Sequence, residues 1–233
     1  MEPSFLEHAS RNGTGPNPTQ ASPQTFRPSS GTDNVWSDAE CRVCKISHEA
    51  PEYSDVLHVR SRAYRLDPGV ITSDVDRASD IYAMYVGTVA IATVSATRGN
   101  AGRFDCHEHY PASLVEAFRS VIISPYRLAV VPEHQGNGST ARLLLLRAWE
   151  HQVLMGARAM IINVHEPMIP YYRRMGFRVA RDSSFIHPRL GTASRVALCA
   201  TEPAGGRGLE KVVQNVTNPV TYDRISRYAP LEP

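Results

Sequence analysis

The sequence predicts one α/β domain: a mixed, mostly antiparallel sheet flanked by helices. Three observations carry that prediction. Segments of strand period and helix period alternate from about residue 43 to residue 200. Two strand-like runs, 81–86 and 88–96, are separated by the single Gly87, as in an antiparallel hairpin. A glycine-bearing turn, Gln135-Gly136-Asn137-Gly138-Ser139-Thr140, lies between a strand-like segment and a long apolar helical run. With 233 residues, 42% of them hydrophobic, the chain is long enough for one substantial core with appendages.

The elements follow in order. Residues 1–38 are rich in Pro, Ser, Thr, Asn and Gly and poor in apolar residues, so they are expected to be disordered. The domain is expected over 39–202. Residues 43–47 read as its first strand. Residues 50–66 carry Tyr53, Val56, Leu57, Val59 and Tyr64 at helical spacing. After the hairpin, 97–112 read as a long loop and 114–120 as a short helix. Residues 122–131 form the next strand. The helix over 139–156 has Leu145, Ala148, Trp149 and Val153 on one side and Gly156 as its stop. The continuous apolar run 159–164 reads as a buried strand. A short helix over 167–175 and strands over 177–181 and 194–200 complete the domain. Residues 203–233 read as a tail, in which Leu209, Val212 and Val213 could form one docked helical turn.

Composition narrows the function classes. A net charge of +2 lacks the concentrated basic face of a nucleic-acid binder. No apolar run approaches the ~18–20 residues that span a bilayer. The amino terminus, Met1-Glu2-Pro3-Ser4, has neither the basic nor the apolar segment of a secretory signal. A soluble cytoplasmic protein is expected. Cys41, Cys44, Cys106 and His109 could ligate zinc. The reading carried forward is reduced thiols and no metal, with Cys41 and Cys44 pointing to opposite faces of a strand.

The turn at 135–140 carries the functional signal. A turn that opens a helix presents unpaired backbone N–H groups and the positive end of the helix dipole, which together suit phosphate oxygens. Small residues are needed because the backbone itself must approach the ligand. About thirty residues later stands Tyr171-Tyr172-Arg173-Arg174-Met175-Gly176-Phe177.

These two stretches resemble the signatures of the GNAT superfamily of acyl-coenzyme A N-acyltransferases. Its first motif runs Arg or Gln, two residues, Gly, one residue, then Gly or Ala. Gln135 and Gly138 match it, and Thr140 stands in the last place. Arg127-Leu128-Ala129-Val130-Val131-Pro132 is similar to the strand leading into that motif, and Tyr171-Tyr172-x-x-x-Gly176-Phe177 is similar to the second signature. The resemblance implies a GNAT-like fold over roughly residues 40–200. It also implies that Gln135, Gly136, Asn137, Gly138, Ser139 and Thr140 bind the donor's pyrophosphate. Val130 and Val131 would pair their backbones with its pantetheine arm, with the oxyanion N–H at Val130 or a neighbour. Tyr172 would lie beside the donor sulfur as proton donor, and Tyr171 would pack. Residues 122–131 contain no acid, which leaves His165, Glu166, a water or bulk solvent as base. Glu133 is expected on the surface.

The front of the domain resembles the branch of N-acyl amino acid synthases and acyl-homoserine lactone synthases. Arg60-x-x-x-Tyr64, Asp74-x-Asp76 and Arg127-Leu128-Ala129-Val130 carry that likeness. Ser124 replaces the glutamate of the lactone synthases, and their arginine after the hairpin is missing. The N-acyl amino acid synthases therefore remain open. Arg60, Arg62 and Arg65 could equally be the solvated face of a helix. The branch implies an acyl carrier protein as an alternative donor to acyl-CoA, and a small-molecule amine or amino acid as acceptor. The 97–112 loop and the 50–66 helix are expected to wall the acceptor pocket. Acyl length, acceptor and oligomeric state stay open, with a homodimer as the guess. The rival readings are an idle acyl-CoA-binding sensor or scaffold of the same fold and a zinc-stabilised interaction module.

Overall fold

The computed structural model describes residues 30–38, 40–67, 71, 74–136, 138–200 and 219–232. Nine strands form one sheet in the order β1-β2-β3-β4-β5-β6-β9-β7, with β8 also pairing β9. The strands are β1 Thr32–Ser37, β2 Cys41–Ile46, β3 Ser79–Val86, β4 Val89–Arg98, β5 Ile122–Val130, β6 Ala159–His165, β7 Arg178–Val179, β8 Phe185–Ile186 and β9 Ala193–Ala200. All pairings are antiparallel except β5 with β6. The helices are α1 Tyr53–Tyr64, α2 Ala112–Ala117, α3 Ser139–Leu154, α4 Ile169–Arg174 and α5 Pro219–Ser226. The fold class read from the sequence therefore holds. No helix among the described residues is long and apolar enough to cross a membrane.

Alternation along the strands assigns the helices to faces. On β3, Ile81, Ala83 and Tyr85 pack with Val56 of α1. Tyr82 and Met84 belong with Leu144, Ala148 and Trp149 of α3. On β6, Ile161 packs with α2 and α5, whereas Ile162 and Val164 pack against Tyr172 and Met175 at α4. Successive side chains of a strand point to opposite faces, so α1 and α3 cover opposite sides of the sheet. Helix α3 buries Leu144, Ala148, Trp149 and Gln152; Leu144 and Gln152 extend the stripe expected from the sequence.

Two boundaries are corrected. The stretch expected to be disordered contains β1, an edge strand paired with β2. The expected tail contains α5, whose Tyr222 and Ile225 are 1% exposed in the core. Leu209, Val212 and Val213 lie outside the described residues, as do residues 1–29.

Candidate active site

Strands β5 and β6 run parallel, but they pair only at Ile122 with Ala159 and Ile123 with Met160. Beyond those residues the two strands part. The cause sits on the other edge of β5. Thr93 pairs Ala129 and Ser95 pairs Tyr126, so Arg127 and Leu128 oppose the single Val94. This is a β-bulge, which bends and twists its strand. Arg127 takes φ +54, an uncommon conformation for a residue with a Cβ. Such a residue costs ~1–3 kcal/mol and persists only where its surroundings over-determine it.

The surroundings do so here. The Arg127 guanidinium donates to Asp76 Oδ2 at 3.3 Å and to the Ile71 carbonyl. Asp76 lies in a short 3-10 turn, Asp74–Ala78, and also receives Arg60 at 2.6 Å, Tyr53 at 2.9 Å, Tyr126 at 2.9 Å and Ser95 at 3.2 Å. Tyr64 Oη donates to the Leu128 carbonyl at 2.9 Å and so satisfies the bulge itself. Burial pushes the Asp76 carboxyl up, but Arg60, its hydrogen bonds and Arg127 outweigh burial and hold it below the ordinary range. Arg60 is fully buried, so the solvated-face alternative fails for it, while Arg62 and Arg65 do stay on the surface side of α1.

A cavity of about 420 Å³ runs through the strand gap. Its α3 and α4 side is largely apolar: Leu145, Ala148, Trp149, Met160, Ile162 and Phe177 line it, together with Gln152. The charged and polar groups of the lining are Tyr64, Asp105, Arg127, His165, His187 and Arg189, beside the apolar Leu66, Ile71 and Leu190. Tyr172 lines the cavity from the apolar side, its ring edge-on to Phe177 with centroids 5.4 Å apart. Burial pushes the Tyr172 phenol up to about 12, which keeps it protonated at neutral pH.

His165 ends β6 at the exposed rim. Its Nδ1 lies 3.1 Å from the Ala193 carbonyl. A carbonyl only accepts, so the hydrogen-bonded tautomer is Nδ1–H, which leaves the Nε2 lone pair free. Glu133 is exposed and paired with Arg62, as expected for a surface acid. Glu166 is exposed and takes a long 3.4 Å contact from Ser184.

The turn before α3 is open. Gly136 has φ +127 and Gly138 has φ +73. An added Cβ would meet nothing within 4 Å at Gly136 and only the Tyr171 ring, at 3.9 Å, at Gly138. Ser139 and Thr140 form the first turn of α3, at the positive end of its dipole. Asn137 lies outside the described residues. Gln135 uses its side-chain amide on the Val130 carbonyl at 2.7 Å. Val131 N–H donates to the Ile91 carbonyl at 2.9 Å. By strand alternation the Val130 N–H then faces the gap. Tyr171 packs beside the turn, edge-on to Tyr172 with centroids 5.4 Å apart.

The structure adds residues that sequence reasoning missed. His187, Arg189 and Leu190 follow β8 and form a cavity wall that no periodicity announced. Asp105, from the loop expected to wall a pocket, also lines it. The zinc set does not assemble. Cys41 and Cys44 are on β2, and His109 stacks on Phe185 at 4.0 Å. Asp105, Cys106 and His187 cluster instead. There His187 Nδ1 accepts the N–H of Arg189 at 3.2 Å and of Leu190 at 3.3 Å, which puts the ring proton on Nε2, toward Cys106 Sγ at 3.5 Å. An Nε2 that carries a proton offers no lone pair to a metal.

Comparison with known proteins decides the family. The family model described as N-acyl amino acid synthase FeeM matches residues 55–201, more than half of the chain. The chain belongs to the FeeM family of N-acyl amino acid synthases. It is an acyltransferase, and the likeness to the N-acyl amino acid synthases read from its sequence holds. The solved structure of FeeM from uncultured soil microbes is similar to this FeeM-family chain at 12% identity and a TM-score of 0.58, covering 78% of this chain and 96% of that one. That likeness shows the shared fold. Escherichia coli ElaA matches at 9% identity and a TM-score of 0.49, covering 68% and 98%. An N-acetyltransferase from Staphylococcus aureus Mu50 matches at 12% and 0.46, covering 69% and 96%. A search of curated protein sequences gives no match.

Proposed function

We propose that this N-acyltransferase moves a long acyl chain from a phosphopantetheine thioester, on coenzyme A or an acyl carrier protein, to the amine of an amino acid. The observation that carries this reading is the two-sided cavity at the strand gap. An acetyl group would leave most of its apolar half empty, and an empty apolar space forfeits dispersion contacts. A long chain fills it. The charged half, open toward α1, suits a polar acceptor.

The donor's phosphates rest at the open turn of Gly136 and Gly138, on the first N–H groups of α3. Its arm enters between β5 and β6. The acceptor amine attacks the thioester carbonyl; the C–N bond forms as the C–S bond breaks. The Val130 N–H facing the gap stabilises the oxyanion. His165 Nε2 takes the amine proton. Tyr172 donates a hydrogen bond to the departing sulfur. Full proton transfer from a phenol at about 12 to a thiolate of ordinary pKa ~8.5 runs uphill by roughly 5 kcal/mol, so hydrogen bonding is the supported role. The thiolate is protonated from solvent or by the imidazolium.

The test is thiol release by purified protein from acetyl-, octanoyl- and palmitoyl-coenzyme A, with a panel of amino acids. Turnover rising with chain length is expected. Acetyl-coenzyme A as the best donor would remove the long-chain reading. Binding of all donors without release of thiol would turn the protein into an acyl-CoA sensor.

A further inference from the structure

The cavity lining carries an unbalanced charge, Arg127 and Arg189 against Asp105, with Arg60 and Asp76 in the network behind it. Among the described residues, three guanidinium groups, Arg60, Arg127 and Arg189, gather around two carboxylates, Asp76 and Asp105. Asp76 serves Arg60 and Arg127 together, at 2.6 and 3.3 Å. Asp105 takes Arg189 through Nη2, at 2.5 Å to each carboxylate oxygen. The remaining cavity groups add no anion. Burial lowers the His187 pKa and favours its neutral form, and Tyr64 and Tyr126 are held protonated by burial. Arg127 and Arg189 feel one another: burial lowers the Arg127 pKa, and Arg189 is the next cause. An uncompensated cation in a largely apolar cavity is unfavourable, and one further anion would balance it.

The two cations differ in what they can reach. The Arg127 side chain is 8% exposed, and its Nη1 serves both Asp76 and the Ile71 carbonyl. The Arg189 side chain is 37% exposed, lines the cavity, and engages Asp105 by one nitrogen. Its planar fork leaves a second edge for another carboxylate, and a bidentate pair of this kind is both strong and directional. We infer that Arg189, with Arg127 behind it, binds the carboxylate of the amine acceptor and is the residue that selects amino acids over uncharged amines. This rests on the acyltransferase reading. It orients the acceptor with its carboxylate at Arg189 and its amine toward the gap, where His165 stands at the rim.

The experiment compares phenylalanine with phenylalaninamide, and leucine with leucinamide, using palmitoyl-coenzyme A as donor. Wild type should favour each acid over its amide by ~10–100-fold in kcat/KM, the span of a charge-assisted contact. Arg189→Ala should collapse that ratio toward one through KM of the acid, and Arg189→Lys should restore part of it. Asp105→Asn, which releases Arg189 from its internal partner, should keep or raise the preference, whereas a merely structural role for the ion pair would make both variants lose alike. An acid-to-amide ratio unchanged in Arg189→Ala overturns the inference while leaving acyl transfer intact. If no acceptor is turned over, the acyltransfer reading fails separately. Calorimetric titration of phenylalanine and its amide into wild type and Arg189→Ala then decides the carboxylate site: acid-selective binding lost in the variant supports it, and equal binding overturns it.

Discussion

Single side chains set the chemistry, and their surroundings fix which roles each can take. Tyr172 is a protonated phenol beside an apolar cavity, so it can donate and cannot act as a base at neutral pH. If Tyr172 donates to the departing sulfur as proposed, Tyr172→Phe should slow thiol release by ~10–100-fold with donor binding kept; steady-state kinetics and a donor titration measure both. His165→Gln keeps a polar side chain at the rim and removes the basic nitrogen, and its kcat should fall by ~10²–10⁴-fold. An unchanged kcat would hand the base role to water. Asp76 is different in kind: it touches no reacting atom and anchors two guanidinium groups. Asp76→Asn leaves Arg60 buried against a neutral partner, and urea denaturation should register a loss of ~3–5 kcal/mol. The motif and its position named Tyr172 and His165 as candidates, and both line the cavity. Arg189 was invisible, since its place in the cavity wall comes from the segment after β8 and not from any local pattern.

At the scale of elements, the bulge lies on β5 beside the gap, and the turn before α3 is the proposed seat of the donor's phosphates. Gly138 caps α3 with φ +73, and a β-branched side chain there would be strained as well as close to Tyr171. Gly138→Val should raise donor KM more than it alters kcat; donor saturation curves test this, and an unchanged KM would detach the turn from donor binding. The long periodic elements were legible: α1, the β3–β4 hairpin, α3 and β6 all fall within a few residues of their expected places. β1 was not, because Thr32, Asp33 and Asn34 give little strand signal and the segment depends on pairing with β2. α5 was missed because its burial comes from Tyr222 and Ile225 docking on β6 and β9, a tertiary contact with no local cue. The bulge could not be read either. It arises from a register shift across two strands and from an arginine held by an aspartate fifty-one residues away.

Over the whole molecule, the sheet gap divides an apolar half from a charged half, and buried titratable groups tie stability to pH. Asp76 and Asp80 are held below the ordinary carboxylate range in spite of burial. Their contribution is present above the unfolded value of ~3.9 and is lost as pH falls through the folded one. Burial lowers His151 and His187, so below ~6.5 the unfolded chain takes up protons first and stability falls there too. Thermal melts should show a plateau between about pH 7 and about 8, a first decline below ~6.5, a second below ~4, and a fall on the alkaline side, where the unfolded chain loses protons from cysteines and tyrosines that burial keeps protonated in the fold. Melting that strengthens on acidification would contradict these assignments. The most direct test of the central claim is a crystal structure with a non-hydrolysable S-hexadecyl coenzyme A. The alkyl chain should lie in the apolar half between α3 and β6, with its sulfur beside Tyr172 and its diphosphate at the turn of Gly136 and Gly138. An alkyl chain on the outer surface, or a diphosphate bound away from that turn, would contradict it.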